Sequence, residues 1–191
     1  MLEDLIVSRV RVKLLETFLG NPGKIFHVRE LVRQTKEEIN AVRRELAHME
    51  KSGMVAKEPR ANRLYYSFRK DYPLYFDLLE LIAKTSNLGG SLLKNKTKLG
   101  KVKFAMLSGN FVRGRLSGPN DVDLLVVGNV VLPELSNLVR TEEARRGHEI
   151  NYTVMTEDEF EFRKRRNDPF IGEILSRVRV LLIGDEEELV K

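Results

Sequence analysis

Cysteine is absent from the 191 residues. That excludes a disulfide framework, a thiolate zinc site, a cysteine nucleophile and a thiol redox switch. Histidine is scarce: His27, His48 and His148 are scattered and never form a His-Glu-x-x-His spacing, so a histidine-built zinc site is not expected either. No apolar run approaches the roughly 20 residues that cross a bilayer. The start, Met1-Leu-Glu-Asp-Leu, lacks the basic stretch and apolar core of a signal peptide. A cytoplasmic protein without membrane contact is the expectation. Internal repeats and low-complexity tracts are missing as well. What is present, 42% hydrophobic and 32% charged residues, suits a globular chain and is too apolar for a disordered one. The length allows one ordinary domain or two small ones.

Charge is unevenly spread. Residues 1–70 carry 15 basic against 9 acidic side chains, whereas 71–191 carry 18 against 19. The overall +5 therefore comes from the first third of the chain, a pattern that suits binding to a polyanion.

The first third reads as helices followed by a hairpin. Ile6, Val10, Leu14 and Phe18 give one apolar stripe over 5–19, ended by Gly20-Asn-Pro-Gly23. Residues 26–34 read as a two-turn helix. Thr35-Lys-Glu-Glu38 has the form of a capping box, opening a helix that runs to about Ser52. Its inward stripe is Ile39, Val42, Leu46 and Met49, and its other face carries Asn40, Arg43, Arg44 and Lys51. Residues 54–69 switch to strand period around Arg60-Ala-Asn-Arg63, without an Asn-Gly turn signal. This order describes a winged helix-turn-helix. In such a module the second helix meets base edges in the major groove and the wing meets phosphates or the minor groove. Asn40, Arg43 and Arg44 on the helix, with Arg60, Asn62 and Arg63 on the wing, are the candidate DNA contacts; Arg pairs with guanine and Asn with adenine. The order of elements resembles the arsenical-resistance-repressor (ArsR) type of winged helix. Metal-sensing members of that type usually use thiols, so the resemblance does not extend to metal sensing here. Residues 72–82 form a third apolar-rich helix, taken with 72–86 as a homodimer seam. Winged helices bind paired half-sites as two-fold dimers. The first domain is placed at 1–86, a connector at 87–100 and a second domain at 101–191.

The second domain alternates strands and helices, indicating an α/β fold. Strands are expected at 103–107, 121–127, 149–155 and 178–183, and helices at 132–146, at 157–166 behind a Thr156–Glu159 capping box, and at 168–176. A glycine-rich loop, 108–120, joins the first two strands. Asp121 and Asp123, one residue apart on a strand, project to the same side, where carboxylates can share divalent cations that clamp phosphate oxygens. The loop is no Walker A, since Arg115-Leu116 stands where Lys-Ser/Thr belongs.

Gly109, Arg113, Gly114, Asp121 and Asp123 resemble the signature of the minimal nucleotidyltransferases of the polymerase-beta-like superfamily. There Gly-Ser and Ala-Arg-Gly precede Ser-Asp-x-Asp. Asn110, Val112 and Asn120 depart from that pattern. The resemblance implies a mixed sheet flanked by helices, Mg²⁺ on Asp121 and Asp123, and an NTP whose phosphates meet Gly109, Asn110, Arg113 and Gly114. It also implies a third carboxylate on the next strand. Glu149 and Asn151 share a face there: Glu149 would complete a catalytic trio with Asp121 and Asp123, whereas Asn151 would remove the general base. A prokaryotic fusion of a winged helix with such a domain is similar to a group of predicted regulators with incomplete metal carboxylates.

The expected function is a DNA-binding transcriptional regulator carrying a nucleotide-binding, catalytically degenerate nucleotidyltransferase-like domain. Two alternatives stand beside it. One is an active Mg²⁺-dependent nucleotidyltransferase that moves NMP to a protein or small-molecule acceptor. The other is a toxin–antitoxin-type module with a helical partner protein.

Overall fold

The computed structural model describes residues 2–118 and 120–190, so Met1 of the N-terminal reading and Pro119 of the 108–120 loop lie outside the described residues. The chain is a mixed α/β protein with two sheets, divided into two compact units, the first ending at Thr85 and the second beginning at Ser86.

In the first unit the order is α1 (Leu2–Leu5), α2 (Arg9–Leu19), β1 (Phe26–His27), α3 (Val28–Thr35), α4 (Ile39–Lys51), β2 (Val55–Arg60), β3 (Arg63–Phe68) and α5 (Tyr75–Thr85). The helix expected over 5–19 begins at Arg9, because the Ser8 hydroxyl accepts from the Arg11 amide at 3.2 Å and caps it. Phe26 and His27, read as helix, instead pair with Tyr66 and Tyr65 of β3 in an antiparallel sheet of order β1-β3-β2. A short apolar run does not distinguish strand from helix by itself. The capping box is also corrected. Thr35 is the last residue of α3, 2% exposed, and its hydroxyl donates to the Leu31 carbonyl at 2.8 Å. Lys36 at φ 54 then turns the chain, and Glu38 caps α4 by accepting from the amides of Asn40 and Ala41 at 2.8 and 3.0 Å.

One core holds these elements together. Leu14 and Phe18 of α2, Leu31 of α3 and Leu46 and Met49 of α4 are at most 1% exposed. Phe18 meets Phe26 edge-on at 5.5 Å. In α5 the expected seam splits: Tyr75, Leu79 and Ile82 are core, whereas Phe76 is exposed, as is Leu74 just before the helix.

The second unit runs α6 (Asn87–Lys94), β4 (Gly100–Ser108), α7 (Gly109–Val112), β5 (Leu124–Val130), α8 (Leu132–Arg146), β6 (Tyr152–Met155), α9 (Glu157–Arg165), α10 (Pro169–Ser176), β7 (Arg179–Ile183) and α11 (Glu186–Val190). Residues 87–100, read as a connector, contribute buried Leu88, Leu92 and Leu99 and belong to this unit. The sheet order is β6-β5-β4-β7, with β4 antiparallel to both β5 and β7 and β5 parallel to β6. Phe104, Met106, Leu125 and Val127 pack with Met155, Phe160, Ile171 and Leu189 in one cluster. Their alternates on the pleat, Ala105, Leu107, Leu124 and Val126, are at most 1% exposed too, so both faces of the central strands are covered. The Thr156 cap forms as the sequence predicts, its hydroxyl accepting from the Glu159 amide at 3.2 Å. Two expected strands start late. β5 begins at Leu124, after Asp121 and Asp123, and β6 begins at Tyr152, after Glu149. Among the described residues no helix is long and apolar enough to cross a membrane.

Candidate functional site

Two groups of side chains stand out, one in each unit. In the first unit, α4 is seated by Val42, Leu46 and Met49, each 0% exposed. Asn40, Arg43, Arg44, Ala47 and Lys51 recur at three- and four-residue spacing on the opposite side and are all exposed. Polar contacts fix the helix on α2: the Ser8 hydroxyl donates to Glu45 at 2.8 Å and Arg11 pairs with Glu45 at 2.6 Å. The α3–α4 turn is tied to α2 as well, since Lys13 Nζ lies 2.9 Å from the Thr35 carbonyl and 2.5 Å from Glu37. The two capping amides hold the Glu38 carboxyl below its ordinary value, and Arg44 and Arg43 add to that.

The wing is a hairpin whose strands pair up to Arg60 opposite Arg63, with Ala61 and Asn62 as the turn and Ala61 at φ 49. Asn62 and Arg63 are exposed at the tip. Arg60 is engaged: its guanidinium pairs with Glu58 at 2.8 Å and lies 5.1 Å from the centre of the Tyr65 ring. Arg29, Arg33, Arg43, Arg44, Lys51 and Arg63 are exposed and enter none of the ion pairs found among the described residues. Arg9, Arg11, Lys13 and Lys24 of α2 and the segment after it do pair, as do Arg60 and Arg69 on and after the wing and Lys84 of α5.

In the second unit the two aspartates close on one stretch of the loop. Asp123 is 2% exposed; the Ser117 hydroxyl donates to one of its oxygens and the Asn151 amide to the other at 3.0 Å. Asp121 accepts from the Gly118 amide at 2.8 Å and pairs with Arg177, which also pairs with Glu173. The Asn151 side chain donates to the Gly118 carbonyl at 2.9 Å and completes the closure. Arg177 and then the Gly118 amide hold the Asp121 carboxyl below its ordinary value. Asn151, not Glu149, adjoins Asp123, whose amide donates to the Asn151 carbonyl at 2.7 Å. Glu149 is exposed in the loop before β6, so the trio Asp121, Asp123 and Glu149 is not assembled. An open cleft of about 770 Å³ borders Asp121, Asn151, Tyr152, Phe170 and Glu173.

The residues expected to hold phosphates have other partners. The Gly109 amide donates to the Val178 carbonyl at 2.7 Å, and a Cβ at Gly109 would lie 2.8 Å from that oxygen. Close packing against the chain entering β7 therefore demands the glycine. Asn110 accepts from the Arg115 side chain at 3.4 Å. Gly114, at φ 67, turns the chain after α7, and Arg113 caps that helix. Beneath α7 lies Arg146, 3.7 Å from the centre of the Phe111 ring and paired at 2.7 Å with Glu142, itself only 4% exposed.

The acidic pair does not fit Mg²⁺. That ion demands near-octahedral oxygen ligands. Here Asp123 is buried with both oxygens bonded, a guanidinium stands on Asp121, and the residue whose backbone meets Asp123 is Asn151, which has no carboxylate to offer. Among the described residues no group of three or more His, Cys, Asp or Glu side chains could hold a metal ion. Arg177 and Ser117 were missed in the sequence. Arg177 lies 56 residues from the aspartate it meets, and no local pattern marks it.

No family model matches the sequence, and no curated protein matches it. Among solved structures, reduced HlyU from Vibrio cholerae N16961 is similar over 44% of this chain and 80% of its own length, at 19% identity and a TM-score of 0.34.

Proposed function

We propose that the chain is a DNA-binding transcriptional regulator whose first unit reads duplex through α4 and its wing. One observation carries this reading: the exposed stripe of Asn40, Arg43 and Arg44 on a helix clamped to its support, with cations left outside the ion pairs on that side. In a winged helix-turn-helix, α3 and α4 are the two helices and β2–β3 is the wing. Arg43 and Arg44 suit guanine edges or phosphates, and Asn40 suits adenine. Asn62 and Arg63 at the wing tip suit phosphates or the minor groove, as does Arg60, which lies across the wing over Tyr65. Two copies on paired half-sites belong to the same reading, and exposed Leu74 and Phe76 offer apolar surface for the second copy.

The second unit is read as a nucleotidyltransferase-like sheet without transfer chemistry, on the strength of its mixed strand order and the closed state of Asp121 and Asp123. The deciding experiment concerns the first unit. Fluorescence anisotropy of the full chain on duplexes selected from a random pool should show affinity falling with salt, roughly −0.9 in log–log slope per phosphate neutralised. Arg43→Ala and Arg44→Ala should each weaken binding by about 5- to 150-fold if they meet a base, or flatten the salt slope by about one if they meet a phosphate. Failure to enrich any sequence, or unchanged affinity in both variants, would remove the proposal.

A further inference from the structure

The cation that Asp121 faces is part of the chain. The Arg177 guanidinium forks between the carboxylates of Asp121 and Glu173. The other Asp121 oxygen takes the Gly118 amide at 2.8 Å, while Asp123 takes the Ser117 hydroxyl and Asn151 returns to the Gly118 carbonyl at 2.9 Å. Residues 117 and 118 are thus held from both sides by backbone and side-chain bonds, and every carboxylate oxygen of the pair has a donor. A guanidinium offers a planar fork of N–H donors that matches two carboxylates. A divalent ion would need to displace that fork and strip Asp123 of its bonds. It would then find Asn151 where a further anion is required.

We propose that Arg177 is a built-in replacement for a divalent cation: it neutralises Asp121 and Glu173 and clasps loop residues 117–118 over Asp123, so the second unit keeps this loop closed without metal. The proposal concerns the second unit alone and stands or falls separately from DNA binding. Three features make it specific. Arg177 follows α10 directly and Glu173 lies one turn back on that helix, so the guanidinium is aimed by the helix end. The Asp121 contact spans 56 residues and ties α10 to the loop. The clasp is partly exposed, with the Arg177 side chain at 45% and Asp121 at 29%, so it can open without unfolding the sheet.

Amide hydrogen exchange by mass spectrometry on the full chain tests this, with Arg177→Gln, Arg177→Lys and Asp121→Asn compared to the wild type. In the wild type the exchange of the Gly118 amide should be the same with EDTA as with about 5 mM Mg²⁺, and Mn²⁺ titrated by electron paramagnetic resonance should find no site tighter than about 1 mM. Arg177→Gln should speed Gly118 exchange by about tenfold or more. Arg177→Lys should fall between, since a lysine keeps the charge and loses the fork. The amides of Leu125 and Val126 in β5, which pairs with β4 on one side and β6 on the other, serve as the internal reference and should not change. If that reference is lost in Arg177→Gln, Asp121→Asn decides by the same criterion. Tight Mn²⁺ binding by the wild type, slowing of Gly118 exchange by Mg²⁺, or unchanged Gly118 exchange in variants that keep the β5 reference would each overturn the proposal.

Discussion

Removing Asp123 separates a structural acid from a free ligand acid. If Asp123 were poised for a metal, replacing it would relieve carboxylate repulsion and leave stability unchanged or raised. The structure gives the opposite expectation. Asp123 is 2% exposed and accepts from the Ser117 hydroxyl and from the Asn151 amide at 3.0 Å. Asp123→Ala deprives both donors of their acceptor, at a cost of about 1–3 kcal/mol for each that is left buried. Asn151 is half-buried just before β6, and Ser117, in the loop, can recover water, so the two losses together should stay near about 2–3 kcal/mol. For a unit of this size each kcal/mol moves the unfolding midpoint by about 4–8 °C, so a fall of about 10–20 °C is expected. Asp123→Asn keeps a carbonyl oxygen for the Asn151 amide and a donor for Ser117, and should cost only about 1 kcal/mol. Scanning calorimetry of the full chain reads both variants. Amide exchange in β5 identifies which transition belongs to the second unit, because the two units need not unfold together. A second-unit midpoint at or above the wild-type value in Asp123→Ala would refute the structural role.

Other consequences are as direct. Gly109→Ala places a Cβ 2.8 Å from the Val178 carbonyl and 2.9 Å from its Cγ1, so the second unit should lose about 1–3 kcal/mol in urea unfolding. An unchanged midpoint would show that the glycine is not demanded by packing. Burial pushes the Glu142 carboxyl up, but Arg145 and Arg146 outweigh it and hold it below its ordinary value of 4.5. A depressed folded value means the stabilisation is complete above about pH 4.5 and is lost as pH falls through the lower folded value. Stability of the second unit measured from neutral pH downward should therefore hold and then decline on the acid side, and Glu142→Gln should flatten that decline. Replacing Glu38 with Ala removes the acceptor for two first-turn amides of α4 and should cost about 1 kcal/mol in first-unit stability, read by thermal melting. No shift would mean that water replaces the cap.

Much of the first unit was legible in the chain itself. Val42, Leu46 and Met49 repeat at helical spacing, and that repeat alone sets which face of α4 turns inward and which leaves Asn40, Arg43 and Arg44 in water. The errors came where local chemistry had two outcomes. Thr35 could cap the next helix or finish the previous one, and its burial against Leu31 decided for the latter. Phe26 could open a helix or pair with Tyr66, and only the presence of β3 settled it.

The acidic pair shows the limit more sharply. The spacing of Asp121 and Asp123 is a local property, and a sequence can display it without saying what each carboxylate will meet. Arg177 reaches Asp121 across 56 residues, and Asn151 reaches Asp123 across 28. By itself the sequence determined which residues are apolar in period, where the cations lie and which acids neighbour one another. Tertiary structure alone decided that the acids are spent on the chain's own donors. A carboxylate's partner is fixed by which distant segments the sheet and α10 bring within about 3 Å of it, and hydrogen bonding and ion pairing act only at that range.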